Sequence, residues 1–153
     1  MKTFSKHVLI TFMALLWVCC SEGVETDKQQ LADADIAFAN MARQEGVGTA
    51  FIAYADSNAI IMQNDQLPLK GITDIAKVYA KVPADLMLTW YPEKAEIADS
   101  GDLGYTFGKY TLKHQSTTES GHYVTIWKKN KSGKWKYVLD TGTKNPEADT
   151  TSH

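Results

Sequence analysis

Apolar residues follow two different periods along this chain, and the period changes near residue 85. Before that point they mostly recur every three or four residues, as on one face of a helix. After it they alternate with polar residues, as in strands that bury one face. The pattern predicts helices first and a set of strands afterwards.

Three helices are predicted in the first part of the chain. The first begins at Asp27 and ends at Gly46, because glycine commonly terminates a helix. The second covers residues 49–55 and the third covers residues 72–82, with a strand at residues 58–63 between them. The apolar stripe of the first helix consists of Leu31, Ala34, Phe38, Met41 and Ala42.

Four strands are predicted after the helices, at residues 85–98, 103–114, 121–129 and 134–143. Short turn-rich segments join them, which is typical of antiparallel hairpins. Helices followed by a run of antiparallel strands indicate an α+β fold.

The strand at residues 103–114 places Gly104, Thr106 and Gly108 on one face. Glycine weakens a strand, so two glycines on one face need a physical reason. Either they let the sheet curl around a ligand space, or they let the first helix pack closely with no cavity. The sequence leaves both alternatives open.

The N-terminus has the features of an export signal. Lys2 and Lys6 precede eleven mainly apolar residues from Val8 to Val18. That run is too short to span a bilayer, which requires about 20 residues, and it fits a signal peptide. A core helix is the alternative. We predict a signal peptide at residues 1–20, a tether at 21–26, one domain at 27–144 and a tail at 145–153.

Cys19 and Cys20 are the only cysteines, and they fall at the end of this run. The segment resembles a bacterial lipoprotein signal, which implies that Cys20 is lipidated and that the domain is periplasmic or tethered to the outer membrane. The residues before each cysteine fit such a signal imperfectly, so simple cleavage is the alternative. The remaining domain contains no cysteine and must fold without disulfides.

Composition excludes one class of partner. The chain has 18 acidic and 16 basic residues, for a formal net charge of −2. A mildly acidic protein has no electrostatic basis for binding nucleic acid.

Motifs for nucleotide binding, zinc proteases or serine hydrolases are also missing from the sequence, so we predict no metal and no cofactor.

Three stretches resemble the nuclear-transport-factor-2-like superfamily, in particular its ketosteroid-isomerase-like and SnoaL-like branches. They are LADADIAFANMARQEGVGTAFIAYADSNAIIM, GDLGYTFGKY and GHYVTIWKKNKSGKWKYVLDTG. The resemblance covers most of the chain from Asp27 to Thr143. It implies a cone-shaped cystatin-like roll, in which three N-terminal helices pack in a strongly curved antiparallel sheet around an apolar pocket. It also implies that two domains pair through their sheets as a homodimer.

Asp140 is the main candidate for a catalytic base. It lies in the last predicted strand and alternates with Val138, which predicts an inward side chain. A buried carboxyl has a raised pKa and can act as a base. The alternative is an acid that caps a turn or pairs with a lysine. Tyr54, at the end of the second helix, or Tyr110 is the candidate oxyanion donor, and for Tyr54 the alternative is a core residue.

Six residues are candidates for binding an apolar or aromatic small molecule, namely Phe38, Met41, Tyr54, Trp90, Tyr110 and Trp127. Aromatic rings suit cavity walls, and they suit an ordinary core or a dimer surface equally well.

Three functions follow from these candidates. The first is an exported small-molecule-binding domain. The second is an isomerase, dehydratase or cyclase that uses acid–base chemistry on a carbonyl compound. The third is a dimeric structural domain whose interior is filled by its own side chains.

Overall fold

The structure, a computed structural model, describes residues 19–146, with side chains from residue 27 onward. The predicted signal peptide lies outside the described residues, apart from the backbone of its last two positions. The side chain of Cys20 and most of the predicted tail at residues 145–153 also lie outside them. Within residues 19–146, no helix has the length and apolar character needed to cross a membrane.

Three helices precede most of the sheet. They are α1 (Cys19–Glu45), α2 (Val47–Tyr54) and α3 (Gly71–Tyr79). Gly46 separates α1 from α2 with a φ of 95°, a conformation that glycine adopts readily. Helix α1 begins before Asp27, so residues 21–26, predicted as a tether, are helical here. Whether that segment also acts as a spacer stays a prediction.

Six strands form one sheet in the order β2-β1-β6-β5-β4-β3. Their bounds are β1 (Ala55–Met62), β2 (Leu69–Lys70), β3 (Met87–Ile97), β4 (Leu103–His114), β5 (Thr117–Lys129) and β6 (Trp135–Lys144). The short strand β2 occupies a segment that the sequence pattern assigned to a connection.

The sheet is antiparallel, as predicted, at four of its five strand pairs, and the fifth pair is parallel. Strand β1 lies parallel to β6, with Ile61 beside Asp140, so the sheet is mixed. Parallel strands need a long crossover connection, and here α3 and four strands separate β1 from β6 along the chain. The alternation of apolar and polar residues is the same for either direction of pairing, so it did not reveal this.

The helices lie against the concave face of the sheet. The sheet contains two β-bulges, in which one extra residue interrupts the register: Glu93 in β3 and Val138 in β6. Such bulges bend and twist a strand. Gly104 lets α1 approach β4, because a Cβ atom there would lie 2.7 Å from Leu31 Cδ2. At Gly108 a Cβ atom would lie 2.9 Å from the ring of Tyr123. Both glycines therefore serve close packing along β4.

Aromatic side chains fill one end of the space between helices and sheet. Phe38 of α1 lies at the centre, with its ring centroid 4.8 Å from that of Phe51 and 6.0 Å from that of Trp127. Trp127 and Tyr137 are completely buried. The other end of this space is not filled.

Candidate functional site

The unfilled end is a cavity of about 350 Å³ between the helices and the concave face of the sheet. We call it the Asp140 cavity. Its aromatic walls are Phe38, Phe51, Tyr79, Trp90, Tyr110 and Tyr123. Its polar lining residues are Gln63, Asn64, Gln66, Glu119, Thr125 and Asp140. Three of these, Gln63, Asn64 and Gln66, are solvent-exposed, so the cavity reaches the surface at the β1–β2 connection.

Asp140 projects into this cavity from the middle of β6. Its Oδ2 atom accepts a hydrogen bond of 2.6 Å from the hydroxyl of Thr125, the residue opposite it on β5. Burial raises the pKa of the Asp140 carboxyl to about 7. The Thr125 hydrogen bond opposes this rise, and the nearby carboxyl of Asp35 adds to it. At neutral pH such a group can both accept and donate a proton.

A bulge, rather than simple alternation, turns Asp140 inward. Tyr137 pairs with Trp127 and both are buried, while the next register pair joins Leu139 to Ile126. Val138 is therefore an extra residue in β6. If every residue of β6 alternated regularly, Asp140, three residues after Tyr137, would lie on the face opposite to Tyr137. The sequence argument from Val138 reached the inward orientation through the wrong neighbour.

Asp35 is a second interior carboxyl, and the sequence analysis missed it. It lies on α1 with 0 % exposure. Its two oxygens accept hydrogen bonds of 2.7 Å from Trp90 Nε1 and from the hydroxyl of Tyr123. Burial raises the pKa of Asp35, and these hydrogen bonds partly offset the rise. Both donors line the Asp140 cavity, so Asp35 supports its wall from behind.

A signal for Asp35 was present in the sequence. Leu31, Asp35, Phe38 and Ala42 follow the four-three-four spacing of one helix face, and all four are buried. We expected the stripe to pass through Ala34 instead. An acid in the middle of an apolar stripe predicts a buried carboxyl that needs hydrogen-bond donors.

Of the six ligand-binding candidates, the structure places Phe38, Trp90 and Tyr110 in the cavity wall. It places Met41, Tyr54 and Trp127 elsewhere.

The three that lie outside the lining pack in the filled end of the fold. Tyr54 packs against Phe38, with ring centroids 4.9 Å apart. Trp127 donates a hydrogen bond of 2.9 Å to the hydroxyl of Thr106. Met41 is partly buried against the same core.

The tyrosine hydroxyls of the cavity wall are mostly engaged. That of Tyr110 donates to Glu119 Oε1 at 2.7 Å, and that of Tyr123 donates to Asp35. Burial and the Glu119 carboxylate raise the pKa of Tyr110 to about 12. The Tyr79 hydroxyl accepts a hydrogen bond from Gln63 and keeps its own proton for another partner. The Tyr110 and Tyr123 hydroxyls are therefore not available as donors to a ligand, whereas the Tyr79 hydroxyl is.

The described residues contain no group of three or more His, Cys, Asp or Glu side chains placed to hold a metal ion. The two histidines of the final strands have other neighbours. His114 Nε2 lies 3.5 Å from Asp85 Oδ1, and the ring of His122 stacks on that of Phe107 with centroids 5.8 Å apart.

Similarity to known proteins comes from structure alone. No protein-family model matches the chain, and no curated protein matches its sequence. Many solved structures do match. An NTF2-like protein of unknown function from Pseudomonas putida has a TM-score of 0.66 at 10% identity, over 84% of this chain and 93% of that one. The chain has the nuclear-transport-factor-2-like fold.

Two further solved structures illustrate the range of proteins that the chain resembles in fold. A ketosteroid isomerase-like protein from Erwinia carotovora atroseptica has a TM-score of 0.62 at 17% identity, over 75% of this chain and 93% of that one. An LEH-like epoxide hydrolase from M. tuberculosis has a TM-score of 0.58 at 10% identity, over 77% of this chain and 84% of that one. These likenesses confirm the predicted fold, and function must be argued from the site.

Proposed function

We propose that the protein binds a small, largely apolar molecule in the Asp140 cavity. The observation that carries the proposal is a cavity of about 350 Å³ walled by aromatic rings and open at the β1–β2 connection. Ligand sites in proteins occupy roughly 300 to 1,000 Å³ and are predominantly apolar with a few placed polar groups. Asp140, Thr125 and Glu119 supply such polar groups here.

Affinity would come mainly from removing apolar ligand surface from water. A ligand that buries roughly 200 Å² of apolar surface gains about 5 kcal/mol before the cost of association is subtracted. Phe38 and Trp90 are held rigidly, Phe38 by neighbouring rings and Trp90 by its hydrogen bond to Asp35. A preformed wall reduces the entropy lost on binding.

The test is a fluorescence titration with N-phenyl-1-naphthylamine, a neutral dye that brightens in apolar cavities. We expect saturable binding to the wild type and weaker binding to Tyr110→Ala, because Tyr110 forms part of the wall. Tyr105→Ala is the matched control. Tyr105 lies on the same strand and, by strand alternation with the buried Gly104 and Thr106, on the opposite face.

Equal dye affinity in the two variants and the wild type would contradict the proposal, because binding would then occur away from the cavity. Absence of saturable binding by the wild type would contradict it as well.

Acid–base catalysis on a carbonyl compound is the second candidate, and one observation favours it. The pKa of Asp140 is raised to about 7, so its carboxyl is poised to exchange protons near neutral pH. The two tyrosines considered as oxyanion donors fit this role less well. Tyr54 lies outside the cavity, and the Tyr110 hydroxyl already donates its proton to Glu119.

The catalytic proposal predicts exchange of carbon-bound protons next to a carbonyl group. Cyclic ketones incubated with the protein in heavy water should lose these proton signals in NMR spectra, and Asp140→Asn should abolish the effect. Exchange no faster than in buffer across the ketone panel would exclude this activity for such substrates.

We also propose, from the sequence resemblances, that the protein is exported, tethered through Cys20 and dimeric. Incorporation of an alkyne-labelled fatty acid in a bacterial host, lost in Cys20→Ser, would support the tether. An unlabelled wild-type protein would contradict it.

A further inference from the structure

The lining of the Asp140 cavity carries negative charge and no positive charge. Asp140 and Glu119 both contribute to it, and none of the lining residues is Lys, Arg or His. Asp35 lies directly behind the wall, hydrogen-bonded to Trp90 and Tyr123. Among the described ion pairs, none involves Asp35 or Asp140.

Asp140 has unused capacity to bind a ligand. Its Oδ2 atom accepts the proton of Thr125, and this is the one hydrogen bond found for the carboxyl within the described part of the chain. A carboxylate has about four acceptor positions. The remaining oxygen belongs to a side chain in the cavity lining, where a ligand cation can approach it.

The walls suit a cation for a second, independent reason. Trp90, Tyr110, Tyr79 and Phe38 surround the same space, and aromatic rings attract cations through the negative potential of their faces. Quaternary ammonium groups are commonly recognised in this way.

An anion is disfavoured on the same grounds. The hydroxyls of Tyr110 and Tyr123 already donate to carboxylates, so the uncharged donors left for a ligand anion are the Tyr79 hydroxyl and the amide side chains at the rim, with no cationic group among the lining residues. Such a group would also be repelled by Asp140 and Glu119.

We propose that the natural ligand is an organic cation, whose ammonium group contacts Asp140 while its apolar part packs against Trp90, Tyr110 and Phe38. The inference rests on the proposed binding function and specifies its ligand class. Because ligand identity is unknown, the probe is benzyltrimethylammonium, which is positive at every pH. Its neutral counterpart is neopentylbenzene, in which a carbon replaces the nitrogen.

Each probe is used to displace N-phenyl-1-naphthylamine from the full-length protein, and the concentration that displaces half of the dye is measured. We expect the cation to displace the dye at a concentration at least about tenfold lower than its neutral isostere, from cation–π attraction and ion pairing together. Asp140→Asn should reduce this preference to about onefold to threefold. Asp74→Asn, an exposed acid on α3, should leave it unchanged.

The preference should also depend on pH. The groups around Asp140 are Asp35 from α1, Tyr79 from α3, Tyr123 and Thr125 from β5, and Tyr137 from β6. Only the ionised carboxyl attracts the cation, and the pKa of Asp140 is about 7. Displacement by the cation should therefore weaken by at least roughly threefold from pH 7.5 to 5.5, while displacement by the isostere stays constant.

The outcomes separate the two proposals. If the dye binds and both probes displace it equally, with no pH dependence, the organic-cation proposal is overturned and the binding function survives. If the dye does not bind, both are overturned. The wild-type measurements decide the matter even if Asp140→Asn fails to fold.

Discussion

Replacing Asp140 by Asn should make the protein more stable at alkaline pH and leave it nearly unchanged in acid. Asn has the shape of the protonated carboxyl and does not ionise. In the wild type, folding raises the pKa of Asp140 from its ordinary 3.8 to about 7, chiefly by burial. Ionising this carboxyl therefore costs more in the folded state than in the unfolded state.

The sign and window follow from proton binding. Between pH 4 and 7 the folded state holds more protons at Asp140 than the unfolded state does, so the free energy of unfolding falls as pH rises. The full shift corresponds to about 4 kcal/mol, and relaxation or water entry would lower this, so we expect about 2–4 kcal/mol.

The assay is urea unfolding of both proteins at pH 4.5, 6 and 8, followed by tryptophan fluorescence. The quantity of interest is the difference in unfolding free energy between variant and wild type. Other titrating groups, including Asp35, contribute to both proteins and largely cancel. The difference should favour the variant increasingly from pH 4.5 to pH 8. A difference that does not change with pH would refute the placement of Asp140 in a desolvated cavity.

Three further predictions concern the scaffold. Asp35→Ala should lower the free energy of unfolding by roughly 2–4 kcal/mol, because it leaves the buried Tyr123 hydroxyl and the partly buried Trp90 indole without an acceptor; an unchanged urea midpoint would contradict this. Gly104→Ala should cost about 1–3 kcal/mol, since its Cβ would lie 2.7 Å from Leu31; thermal unfolding within 1 °C of the wild type would count against that packing. Ile126 lies on the outer sheet face beside the half-buried Val124 and Phe107, so Ile126→Glu should convert the proposed dimer to a monomer, as measured by light scattering. A wild-type protein that is already monomeric would contradict the predicted pairing.

Much of the fold was predictable because its determinants are local. The predicted strand at residues 103–114 coincides with β4, since small inward residues alternate regularly with larger outward residues over its first half. The first helix was found from its apolar stripe and from the glycine that ends it. Strand direction was not predictable, because the parallel partner of β1 is supplied by β6 at the far end of the domain.

The site was predictable only in part, for reasons specific to three residues. Asp140 faces inward because of the bulge at Val138, and no local pattern marks that insertion. Asp35 was overlooked because acids are seldom buried, although its helical spacing showed where it lies. Trp127 and Trp90 look alike in sequence, yet Trp127 packs in the filled end and Trp90 lines the cavity.

The central claim is that the space beside Asp140 is hollow and accessible, and methyl NMR during titration with N-phenyl-1-naphthylamine tests it most directly. Ile61, Leu88 and Leu112 line the cavity, whereas Ile126 lies on the outer face of the sheet. We predict saturable shifts of the three cavity methyl groups and no shift at Ile126. Shifts confined to Ile126, or no shifts at all, would contradict the account.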